Sequence, residues 1–114
     1  MNWEQVCDIA RTFPGVEEGL IFGSPIWRAR KRFLVSLLDG GDEVVVQTGR
    51  LEQEFLLESQ PDIYYITDHY KGTGYLRVRL NAIEPDDFQT MLEAAWRRIA
   101  QKRDLKAYDE NMVK

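Results

Sequence analysis

Reactive side chains are scarce in this sequence of 114 residues. Its one cysteine, Cys7, excludes an internal disulfide. With one histidine, His69, beside it, the chain cannot supply the Cys/His set that a structural zinc site needs. No apolar run approaches the ~20 residues that cross a bilayer. The opening stretch MNWEQVCDIARTFPG has early acids and no apolar block, so it reads as neither a signal peptide nor a span. A lone thiol and no membrane segment give a cytoplasmic reading. A basic excess is missing too. Fifteen Lys and Arg face nineteen Asp and Glu, a net charge of −4. Nucleic-acid-binding domains usually carry the opposite balance, which leaves only a local basic patch for that role.

Catalytic patterns are equally sparse. Gly40-Gly41 lies between two strand patterns, not between a strand and a helix, so it is no phosphate loop. Ser24 and Ser36 sit in no nucleophile elbow. Asp68 could orient His69, but nucleophilic catalysis needs a Ser or Cys within reach. Cys7 falls on an apolar helical stripe, where it reads as a small buried hydrophobe. Glu17/Glu18 and Asp86/Asp87 are sequence neighbours that point apart. No enzyme and no cofactor is expected.

What is present is ordinary for one folded domain: 44% hydrophobic and 30% charged residues. Asn2 and Gln5 form a capping-box pattern ahead of Trp3, Val6, Cys7, Ala10 and Phe13, which predicts a helix over 3–12. Pro14-Gly15 ends it. Strands follow at 19–22, 26–29, 33–38 and 43–47. A turn at 23–25, a tight turn at Arg30-Lys31 and the strong hairpin signal Asp39-Gly40-Gly41-Asp42 separate them. Leu51, Phe55 and Leu56 mark a short helix, before strands at 63–66 and 75–80. Pro85 opens the last helix, whose stripe is Phe88, Leu92, Ala95, Trp96 and Ile99. Residues 1–103 then form the domain, and 104–114 lose the pattern and read as a frayed tail.

This order predicts an α+β fold: a two-layer sandwich with a mainly antiparallel six-stranded sheet. The N- and C-terminal helices would pack on one face and leave the other partly open. Trp3, Cys7, Val78, Trp96 and Ile99 are expected in one core.

Charge is most informative on that open face. Strand alternation places Arg28 and Arg30 on one face, opposite Trp27 and Ala29, and Arg77 and Arg79 opposite Leu76 and Val78. Lys31 and Arg32 mark one hairpin tip, and His69, Tyr70 and Lys71 another exposed loop. Cations and rings on two projecting hairpins suit phosphates and bases. The same residues also suit a plainer role, keeping an open sheet soluble and its edges blunt. A third reading uses the acids Glu4, Asp8, Glu17 and Glu18 as a site for a metal or a protein partner, and a last one is an uncharacterised small-molecule-binding protein with an apolar pocket at His69.

The segments FPGVEEGLIFGSPIWRARKRF and PDIYYITDHYKGTGYLRVRL, with the Glu-Pro-Asp-Asp-Phe helix start and the Ala-Trp-Arg helix, resemble the MmcQ/YjbR-like family. The likeness runs from about residue 3 to 103. It implies a frataxin-like (CyaY-like) fold and a double-wing arrangement that contacts double-stranded DNA. The wings would map onto the hairpin around Arg30-Lys31 and the loop around His69-Tyr70-Lys71.

Overall fold

A computed structural model describes residues 1–112. Four helices and six strands follow in the order α1 (Trp3–Ala10), β1 (Val16–Ile21), β2 (Ser24–Ala29), β3 (Arg32–Leu37), β4 (Glu43–Gln47), α2 (Arg50–Ser59), β5 (Tyr64–Tyr65), β6 (Tyr75–Arg79), α3 (Pro85–Ile99) and α4 (Lys102–Met112). The strands make one antiparallel sheet, ordered β1-β2-β3-β4-β6-β5. The predicted two-layer α+β class is what the chain adopts.

The capping box is present: Gln5 N donates to Asn2 Oδ1, and Asn2 N to Gln5 Oε1, each at 2.9 Å. α1 buries Val6, Cys7 and Ala10, and α3 buries Phe88, Leu92 and Trp96. Both stripes lie on the sheet face that carries Val44, Val46, Leu76 and Val78. Cys7 is in this core and receives the Trp27 indole N–H at 3.3 Å; burial pushes its thiol pKa up. Trp3 is only half-buried and packs at the margin.

One irregularity decides which side chains reach the open face. Trp27 faces Val35 while Arg28 faces Phe33, so Leu34 is the extra residue of a β-bulge. Leu34 and Val35 therefore both enter the core. Phe33 is returned to the open face.

One expectation needs correction. Residues 104–112 do not fray but belong to α4, which buries Asp104 and Tyr108. The Tyr108 ring packs 5.1 Å from Trp96 and 5.5 Å from Phe13, and those two stack at 5.1 Å. Its hydroxyl donates to Glu93, and Arg97 bridges Glu93 to Asp109. Residues 113 and 114 of the expected tail lie outside the described residues. In α2 the buried positions are Gln53 and Leu56, while Leu51 and Phe55 point outward, 82% and 55% exposed. Gln53 turns inward and is satisfied there by donating to two backbone carbonyls.

Candidate functional site

The strand pairing brings the two expected wings to one end of the sheet. Ala29 pairs with Arg32 across the β2–β3 turn, and Gln47 with Tyr75 at the start of β6. Phe33 and Tyr75 then meet edge to face, 5.2 Å between ring centroids. The Arg30-Lys31 turn and the 66–74 loop thus adjoin the same end of the sheet.

Arg30 and Lys31 both have positive φ, 48° and 78°. Two such residues give the turn a twist that suits a hairpin, at ~1–2 kcal/mol per non-glycine residue. The turn rotates Arg30 away from Arg28. Its guanidinium grips Asp104 of α4 with Nε–Oδ2 and Nη2–Oδ1 both 3.0 Å. The guanidinium's hydrogen bonds hold the Asp104 carboxyl below its usual range. Gly15 (φ 79°) packs against this pair, and a Cβ there would come 2.9 Å from Arg30 Nε. Arg30 therefore leaves the set of open-face cations, contrary to the strand-alternation expectation.

Arg77 and Arg79 do lie opposite Leu76 and Val78, but both are engaged. Arg77 pairs with Glu43 at 3.2 Å, its guanidinium carbon 5.1 Å from the Tyr65 ring. Arg79 sits 4.1 Å from the same ring and donates to the Pro61 and Asp62 carbonyls. The Tyr65 hydroxyl donates to Glu43; burial, then that bond, raises its pKa. This network fastens the two-residue strand β5 to the sheet. Four expected cations remain without an ion pair among the described residues: Arg28, Lys31, Arg32 and Lys71. Lys31, Arg32 and Lys71 are exposed, and Arg28 is half-buried beside Gly19. Glu17, across from Arg28, and Asp68 are the acids nearest to them in the pairing and the loop.

The loop that carries His69 and Tyr70 is held from below. Gln53 Nε2 donates to the Tyr70 carbonyl at 3.0 Å and to the Tyr75 carbonyl at 2.6 Å. The rings of His69 and Tyr70 lie 5.5 Å apart, and those of Tyr70 and Tyr75 6.0 Å. Phe33, Tyr75, Tyr70 and His69 thus form a continuous aromatic run. It lines a shallow groove of about 470 Å³ together with Ile21 and Phe22. The groove continues along the sheet toward Ser36 and Asp39.

Phe22 and Phe33 escaped the sequence reading. Phe22 is fully exposed with φ 49° at the β1–β2 tip. A large apolar residue beside Gly23 was a usable signal; the bulge that exposes Phe33 left none. The acids Glu4, Asp8, Glu17 and Glu18 are not gathered. Asp8 and Glu18 share Arg11, and no group of three or more potential metal ligands forms among the described residues. No helix among them is long and apolar enough to cross a membrane.

The YjbR family model matches residues 11–98, well over half of the chain. The chain belongs to the YjbR family. Among solved structures, this YjbR fold is similar to the crystal structure of Deinococcus radiodurans protein DR2400, a DUF419 domain. The TM-score is 0.75 at 12% identity, over 95% of this chain and 88% of that one. At that identity the likeness speaks for the fold alone. No curated protein matches.

Proposed function

We propose that this YjbR protein binds double-stranded DNA through the phosphate backbone, as a binding protein and not an enzyme. The supporting observation is that Lys31 and Arg32 at the β2–β3 turn and Lys71 in the loop before β6 lie toward the same end of the sheet, with Arg28 nearby on β2 and none of the four in an ion pair among the described residues. Unpaired cations displace condensed counterions from a duplex, whereas Arg30, Arg77 and Arg79 would first have to break internal bonds. Backbone contacts carry no base information, so binding is weak and indifferent to sequence. The net charge of −4 opposes approach only within a screening length of about 8 Å at physiological ionic strength. Within that distance the local patch decides.

The test is a fluorescence-anisotropy titration of labelled duplex, with wild type beside a Lys31→Glu, Arg32→Glu variant. Wild type should bind at low salt, and the variant should lose that binding. An Arg79→Gln variant should retain it.

A further inference from the structure

We propose that the aromatic groove on the open sheet face receives an unpaired nucleobase, so that the protein prefers single-stranded or unstacked DNA over duplex. This rests on the DNA-binding reading and adds to it the form of the strand.

Three observations carry the inference. The rings of Phe33, Tyr75 and Tyr70 follow one another at 5.2 and 6.0 Å along the groove, and Phe22 stands fully exposed at its β1–β2 end. A flat apolar guest laid on these rings gains stacking that is tolerant of base identity. The Tyr70 and Tyr75 hydroxyls have no protein hydrogen-bond partner among the described residues, whereas the Tyr65 and Tyr108 hydroxyls are both satisfied by carboxylates. They can bond the polar edge of a base, which a purely apolar occupant would leave idle.

The third observation is charge. Arg28 is paired across the strands with Phe33 on the open face, so a cation adjoins the groove at the basic end of the sheet. The far end carries Asp39 and, in the same turn, Asp42. A phosphate beside the mouth is favoured and one beside Asp39 is repelled. The groove is therefore suited to one inserted base, not to a strand running its length. A paired base cannot enter without leaving its stack, and that cost disfavours the duplex.

The experiment compares a labelled strand of about 12 nucleotides with the duplex of the same sequence, at one salt concentration. Wild type, Phe22→Ala, Tyr70→Ala and Lys31→Glu, Arg32→Glu are each titrated. Phe22 touches no core, so its variant reports on the groove even if Tyr70→Ala loosens the loop. The strand should bind on the order of tenfold or more tighter than the duplex. Each groove variant should lose roughly five- to a hundredfold for the strand, with duplex binding and salt dependence unchanged. Equal affinity for strand and duplex, or groove variants that bind the strand like wild type, would overturn the inference while leaving the DNA-binding reading intact. No binding of either form at low salt would overturn both. A dimer at assay concentrations that Phe22→Ala dissociates would assign the groove to a second copy and also overturn it.

Discussion

Arg30 and Asp104 meet through two parallel hydrogen bonds of 3.0 Å across 74 residues of chain. The pair ties the β2–β3 turn to α4, and Asp104 is buried while Arg30 is half-exposed. A planar fork matched to a carboxylate is the geometry lysine cannot reproduce.

This relationship predicts acid sensitivity. Asp104 titrates below its usual value in the folded protein, chiefly because Arg30 bonds its ionised form. Its contribution is present above the unfolded carboxyl pKa of ~3.9 and is lost as pH falls through the depressed folded value. Asp104→Asn should lower the thermal midpoint at pH 7 and narrow the gap to wild type below about pH 4. A gap independent of pH would assign the loss to packing alone. Arg30→Lys should fall between Arg30→Ala and wild type.

Trp96 is fully buried, stacked on Phe13 and capped by Tyr108, with its indole N–H donating to the Pro14 carbonyl at 3.2 Å. Trp96→Ala should cost about 3–5 kcal/mol in chemical denaturation. A smaller loss would mean that α4 collapses into the vacated space, which near-ultraviolet circular dichroism of the tyrosines would detect.

Gln53 fixes the loop without touching the groove. Gln53→Ala removes the side-chain donor of the Tyr75 carbonyl and one of three donors of the Tyr70 carbonyl, and should cost about 1–3 kcal/mol. Hydrogen exchange should show residues 67–74 opening more often than the rest of the sheet. Exchange unchanged in that loop would show that Thr48 and Thr73, which bond the Gly74 and Tyr70 carbonyls, hold it alone.

The elements that follow local rules were legible. The stripes of α1 and α3, the capping box, the Asp39–Asp42 hairpin and the strand alternation of β6 each depend on residues a few positions apart. What stayed hidden depends on partners far along the chain. α4 has no continuous apolar stripe; Tyr108 and Asp104 fold inward because Trp96 and Arg30 wait there. Arg30 seemed to share a face with Arg28 because alternation assumes extended backbone, and its positive φ breaks that assumption. Leu34 gives no warning that it is a bulge. The candidate site was half legible: its free cations were identified, while its aromatic wall depends on the Leu34 bulge and on Phe22.

The central claim, phosphate contact by four unpaired cations, is tested most directly by the salt dependence of duplex binding. A plot of log affinity against log salt should be linear, with a slope of about −3 to −4 for wild type at ~0.9 per phosphate contacted. Removing Lys31 and Arg32 as contacts should make it shallower by about 2. Absence of binding at low salt, or a slope that the double variant leaves unchanged, would contradict the account and return these cations to the role of keeping an open sheet soluble.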